Sequence, residues 1–276
     1  MDTKDVARHW ESNAEAWTVY SRAGHDRYRD ALNTPAFLAM LPPVAGLDGL
    51  DLGCGEGTNT RAVARLGARM TGLDIAPTFI AYAREAERED PLGIDYVLGD
   101  GESLPFAAQS FDFVTAFMSL MDMADQQKVL CGVAQVLKPG GFLQFSILHP
   151  CFVPPTRRNI RNHEGEPVAV EVADYFEETD GTIERWMFSS IPREEREKLE
   201  PFSVPRFHRT LTSWVSMIVN AGLVIEALGE PRASEEVARA EPIVADTRVA
   251  PIFLHVRARK PGVEAGLAIV PSSGMG

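Results

Sequence analysis

The stretch Asp51-Leu52-Gly53-Cys54-Gly55-Glu56-Gly57 constrains this chain more than any other feature. It follows a short run, Gly49-Leu50-Asp51-Leu52, and precedes a helical pattern that puts Ala62, Val63 and Leu66 on one side before Gly67 ends it. Glycines at alternate positions let the main chain turn sharply and approach a ligand with no Cβ in the way. Where such a turn opens a helix, the backbone amides are unpaired and the helix dipole is positive, so an anionic or carboxylate-bearing ligand is favoured. Strand, ligand-binding loop and helix are the units this stretch dictates.

The same rhythm repeats. A second strand over 69–74 is followed by a helix over about 77–88 with Pro77 in its first turn. Strands follow at 94–98 and 111–117, then a helix that spaces Val129, Leu130, Val133, Val136 and Leu137 along one face. Lys138-Pro139-Gly140-Gly141 stops that helix, and Phe142 to Leu148 is a fifth strand with the nearly unbroken apolar character of one covered on both faces. Alternation of this kind is the pattern of repeated βαβ units on a parallel sheet. Residues 149–209, rich in proline and acidic clusters, read as an insertion that caps the substrate. A helix over 211–221 and strands over 223–228 and 251–259 complete the core within 210–260. Residues 1–46 read as a helical lid, with Val6, Trp10 and Trp17 on one face, and 261–276 as a mobile tail. No repeat of solenoid period occurs.

Composition narrows the chemistry. With 27 basic and 39 acidic residues the formal charge is −12, which works against a nucleic-acid partner because phosphate backbones need clustered Lys and Arg. No run of about 18 apolar residues and no signal-like start occurs, so a cytoplasmic protein without a membrane span is expected. Cys54, Cys131 and Cys151 are odd in number and widely spaced, which fits reduced thiols and no metal knuckle.

Asp74 emerges from the end of the second strand, where a carboxylate can accept hydrogen bonds from both hydroxyls of a ribose. A nucleoside ligand follows. A dinucleotide loop of the form Gly-x-Gly-x-x-Gly would need glycine at 58, where Thr58 stands, which disfavours an NAD(P)-dependent oxidoreductase. Asp51 ahead of the glycines would repel a pyrophosphate and suits a ligand with an ammonium group.

These residues, with Gly72-Leu73-Asp74-Ile75, Gly99-Asp100-Gly101-Glu102, Ser110-Phe111-Asp112-Phe113-Val114 and Leu137-Lys138-Pro139-Gly140-Gly141 in order, resemble the class I S-adenosylmethionine-dependent methyltransferases. The resemblance covers residues 45–148 well and the elements of 210–259 less closely. It implies an α/β, doubly wound, Rossmann-like sheet of seven mostly parallel strands with the last antiparallel. It also implies S-adenosyl-L-methionine as cofactor and a small-molecule methyl acceptor, handled by a monomer or homodimer. By that resemblance Gly53 and Gly55 contact the methionine part of the cofactor, and Asp51 its amino group. Asp74 and Ile75 meet the ribose and its surroundings, and Asp100 and Gly101 the adenine. Phe117 and Met118 line the floor, while Tyr20 and Tyr28 are lid candidates. A cofactor-binding module without turnover is the reading of a different class.

Methyl transfer to a hydroxyl or protonated amine is helped by a base, and histidine suits that task near neutral pH. His149, directly after the fifth strand, and His208, before the helix at 211, are the catalytic candidates. Trp10 and Trp17 read as packing residues, and Cys54 and Cys151 likewise.

Overall fold

A computed structural model describes residues 1–262; the tail expected from Pro261 onward falls almost wholly outside them. The helices are α1 (Thr3–Arg22), α2 (Thr34–Met40), α3 (Thr58–Ala64), α4 (Pro77–Glu89), α5 (Gln126–Val136), α6 (Arg193–Arg196), α7 (Leu211–Asn220) and α8 (Glu235–Ala240). The strands are β1 (Asp48–Leu52), β2 (Arg69–Asp74), β3 (Asp95–Leu98), β4 (Phe111–Phe117), β5 (Leu137–Leu148), β6 (Thr156–Arg161), β7 (Pro167–Ala173), β8 (Thr182–Trp186), β9 (Phe202–Arg206), β10 (Val224–Gly229) and β11 (Phe253–Arg259).

Seven strands form the central sheet in the order β10-β11-β5-β4-β1-β2-β3. β1 to β5 pair in parallel, and β11 runs antiparallel to both β5 and β10. The expected doubly wound sheet is therefore present. From β1 the chain winds outward to β2 and β3, and then returns to β4 and β5 on the other side. The boundary between β1 and β4 is thus the switch point where open α/β sheets form a ligand crevice.

Alternate side chains of the strands feed two cores. Leu50, Leu52, Val114, Leu143 and Phe145 pack with Val129, Leu130 and Val133 of α5 and with Trp214 and Ile218 of α7. On the other face Met70, Phe113 and Phe142 pack with Phe37 of α2, Val63 of α3 and Ile80 of α4. Burying a large aliphatic or aromatic side chain is worth about 1.5–3 kcal/mol, so these layers hold the strand tips in fixed register. Local caps close the helices: Asp2 and Asp5 form a reciprocal capping box on α1, and the Thr210 hydroxyl accepts from the Ser213 amide at the start of α7.

Three features differ from the sequence reading. β5 begins at Leu137, because the Lys-Pro-Gly-Gly turn is absorbed as an irregularity in which pairing jumps from Phe111↔Leu137 to Phe113↔Phe142. The insertion is built of two antiparallel pairs, β6–β7 and β8–β9, which were not foreseen. Ahead of α2, Arg29–Asn33 forms a π-helical turn.

Candidate functional site

α1 lies across the carboxyl edge of the sheet, packed against α4 and β9. Its Trp17 sits 4.9–5.4 Å, centroid to centroid, from Trp10, Trp186, Phe188 and Phe202, mostly edge to face. This aromatic seam joins the N-terminal helix to the insertion, and the two together roof a cavity of about 690 Å³. Pockets for small molecules and cofactors span about 300–1,000 Å³.

One end of the cavity is the glycine loop. Gly53, Gly55 and Gly57 have φ of 71°, 55° and 89°, a region that side chains rarely enter. A Cβ at Gly53 would lie 2.4 Å from the Ser119 Cβ, whereas one at Gly55 would meet nothing within 4 Å. The first glycine is thus required by packing, and the second leaves open room where the loop meets the cavity. Asp51 is 1% exposed; its carboxylate accepts from the Thr60 hydroxyl at 2.5 Å and the Thr115 hydroxyl at 2.9 Å. Asp74 accepts from the Gly55 amide and the Ala76 amide, both at 2.9 Å, so it also ties the loop to β2. Burial pushes both carboxyls up to about 6, against the hydrogen bonds that pull them down.

Asp51, Gly53, Gly55, Asp74, Ile75, Asp100, Gly101, Phe117, Met118 and Tyr28 all border the cavity. Asp100 accepts from the Glu102 amide at 2.8 Å, which holds the turn beside Gly101. Met118 takes a φ of 53° just past β4, and its amide donates to Ser146. Such strain at a crevice is commonly kept for function. The Tyr28 hydroxyl lies 2.7 Å from the Ile243 carbonyl and 2.9 Å from Asp246, and burial raises its ionisation.

The other sequence candidates lie elsewhere. Tyr20 points to the outer side of the roof, where its hydroxyl donates to Glu195, and it is absent from the cavity wall. His149 is buried with Nδ1 accepting from the Cys151 amide and Nε2 against Glu230 at 2.9 Å. His208 is buried with Nε2 donating to the Tyr175 carbonyl, and burial holds its ionisation below the ordinary histidine range. Neither ring borders the cavity. Position after a strand puts a residue at the right edge, but side-chain direction is set by the packing beyond it. Cys54, Cys131 and Cys151 are free thiols, and Cys54 is buried.

At the far end of the cavity the sequence reading gave the 149–209 cap but not most of the individual wall residues. Met121, Met187, Phe188, Val204, Ile252 and Phe253 give it an apolar wall. Set in that wall are Asp122, the pair Arg206–Glu184 at 2.6 Å, and Arg157 3.6 Å from Asp246. Arg157 Nη2 and Asn159 Oδ1 are buried and have no hydrogen-bond partner among the described residues. These residues come from six separate segments, and no local spacing announces them. No helix among the described residues is long and apolar enough to cross a membrane.

Comparison with known proteins agrees with this geometry. The family described as Methyltransferase domain matches residues 50–145. A demethylmenaquinone methyltransferase of Tropheryma whipplei is 37% identical over 167 residues, covering 56% of this chain and 68% of that protein. A ubiquinone biosynthesis O-methyltransferase of a Methylobacterium is 34% identical over 156 residues, 51% of this chain and 61% of that one. A crystal structure of an S-adenosylmethionine dependent methyltransferase from Mesorhizobium loti superposes with a TM-score of 0.66 at 30% identity, covering 82% of this chain and 96% of that one. The chain belongs to the class I S-adenosylmethionine-dependent methyltransferases. It is accordingly an enzyme that uses S-adenosyl-L-methionine, and neither the oxidoreductase nor the idle binding module is favoured.

Proposed function

We propose that the enzyme methylates a compact small molecule bearing a hydroxylated or quinoid ring, held in the apolar end of the cavity while the cofactor occupies the end at the glycine loop. The observation that carries this reading is the continuity of the cavity from Gly55 to Phe253 beneath one roof. The loop end fits the cofactor: Asp51 would pair with its ammonium, Gly53 and Gly55 with its methionine part, and Asp74 and Ile75 with the ribose. Asp100 and Gly101 would meet the adenine, Phe117 and Met118 would form the floor, and Tyr28 would close the side. When bound, the cofactor supplies a methyl carbon made electrophilic by its sulfonium. The protein's part is to align an acceptor atom with that carbon and to keep water out.

The acceptor class is supported by the apolar wall and by the polar groups set in it, Asp122 and the Arg206–Glu184 pair, which suit polar substituents on a ring. It is also supported by the relatives, one named for demethylmenaquinone and another for O-methylation in ubiquinone biosynthesis. The reading carries with it a cytoplasmic enzyme, monomeric or homodimeric, acting on a small molecule rather than on nucleic acid. Calorimetry with S-adenosylmethionine and with NAD, followed by transfer of labelled methyl to catechols, hydroquinones and amines, tests it. Binding of the sulfonium alone and labelling of a ring hydroxyl are expected; transfer confined to amines would refute the acceptor class.

A further inference from the structure

Asp122 ends the 3-10 turn Leu120–Asp122 that follows β4. That turn is fixed at both sides. The Ser119 hydroxyl donates to the Leu52 carbonyl at 2.6 Å, beside the glycine loop, and the Phe207 amide of the roof donates to the Met121 carbonyl at 3.0 Å. Asp122 therefore stands on the cavity wall between the cofactor end and the apolar end. It is 5% exposed.

Every other carboxylate bordering the cavity accepts a hydrogen bond: Asp26 from the Arg29 amide, Asp51 from two hydroxyls, Glu56 from Thr58, Asp74 from two amides, Asp100 from the Glu102 amide, Glu102 from Thr3, Glu184 from Arg206 and Asp246 from Asn159. The carboxylate of Asp122 accepts none among the described residues, yet its oxygens are not sealed away from the cavity, since they are not among the fully enclosed unpaired atoms. A buried carboxylate left without donors is costly and calls for a partner from the ligand. The charged groups that face it are Glu184 of β8 and Arg206 of β9. Burial and the charge of Glu184 push its ionisation well above the ordinary carboxylate range, with Arg206 opposing them.

Resting on the cavity reading above, we propose that Asp122 binds the reacting hydroxyl of the acceptor and takes its proton during methyl transfer. The acceptor oxygen forms the new bond to the methyl carbon as the carbon–sulfur bond breaks. The bonding pair stays on sulfur, which becomes a neutral thioether, and the hydroxyl proton passes to the Asp122 carboxylate. A carboxylate with a raised ionisation is a better base than one in water, so its burial serves the step.

The test compares catechol with 4-nitrocatechol, a phenol already largely ionised near neutral pH, using labelled S-adenosylmethionine. General bases contribute about 10²–10⁴-fold, so Asp122→Asn should lower kcat for catechol by about that much. It should cost 4-nitrocatechol less than about tenfold and leave the calorimetric affinity for S-adenosylmethionine within about threefold; Asp122→Glu should restore part of the catechol rate. If the asparagine variant does not fold, the wild-type enzyme decides: kcat for catechol should rise with pH through one ionisation, and that for 4-nitrocatechol should stay flat. Equal losses for both phenols, unchanged catechol turnover, a flat wild-type profile for catechol, or sulfonium binding with no phenol bound or methylated would each overturn the assignment. Failure of the wild type to bind S-adenosylmethionine would overturn the cavity reading instead.

Discussion

Replacing Asp74 with asparagine should separate cofactor binding from stability. In the native loop the two carboxylate oxygens take the Gly55 and Ala76 amides at 2.9 Å each. Asparagine keeps one acceptor and turns an NH2 group toward the other amide, leaving a buried donor unpaired at a cost of about 1–3 kcal/mol. Against this, the variant no longer carries a buried charge. With the carboxyl raised from 3.8 to about 6, ionising it at neutral pH costs about 3 kcal/mol at 1.36 kcal/mol per unit. The two effects nearly cancel, so ligand-free stability should change by less than about 2 kcal/mol, or about 4–8 °C in melting temperature for a chain of this size. Binding has no such compensation. Hydrogen bonds to a charged group contribute about 1.5–3 kcal/mol each and neutral ones about 0.5–1.5, so loss of charge against two ribose hydroxyls removes about 2–3 kcal/mol and should weaken S-adenosylmethionine by about 30- to 150-fold. Calorimetry, with thermal melts of the ligand-free protein alongside, reads both quantities. A cofactor affinity within threefold of wild type in a folded variant would refute the assignment of Asp74 to the ribose.

Three further outcomes follow from the same geometry. Gly53→Ala puts a Cβ 2.4 Å from that of Ser119 at a φ of 71°, so strain and overpacking should destabilise by about 2–5 kcal/mol and lower the melting temperature by about 4–20 °C. Asp74 has a native ionisation near 6, above its unfolded value, so the native state holds more protons between about pH 4 and 6. Its contribution to stability is present below the unfolded value and lost as pH rises through 6. Denaturant titrations should therefore show Asp74→Asn gaining on wild type across that window, and wild-type affinity for the cofactor should fall on acidification below about 6 as Asp51 and Asp74 take up protons. His149→Ala leaves the Cys151 amide without its acceptor and should cost about 1–3 kcal/mol of stability, with kcat per folded molecule within threefold of wild type; a hundredfold fall in kcat at unchanged folding would return this histidine to the chemistry.

The glycine-loop end of the cavity was legible because it is local. Asp51, Gly53, Gly55 and Asp74 lie at strand tips or in the turn that follows, so strand periodicity and glycine spacing were enough to place them together. The roof was not legible. β6 reads Thr-Arg-Arg-Asn-Ile-Arg and is mostly exposed or half-buried, so it lacks the alternation by which a strand announces itself. Its residues become strand only because β7 pairs with them. The two histidines show a related limit: both come from segments at the correct edge, and both turn their ring nitrogens into protein instead of cavity.

Residue order alone therefore gave the sheet, the cofactor class and the position of the glycine loop at the cavity, because strand pattern and turn chemistry act over neighbouring residues. It did not settle the far end of the cavity, where Asp122, Arg157, Glu184, Arg206 and Asp246 meet from distant parts of the chain. Their meeting depends on α1 and the insertion folding over the sheet and burying Trp17 against Phe188 and Phe202. That apolar burial is non-directional and long-range, so only the assembled chain shows which polar groups it encloses.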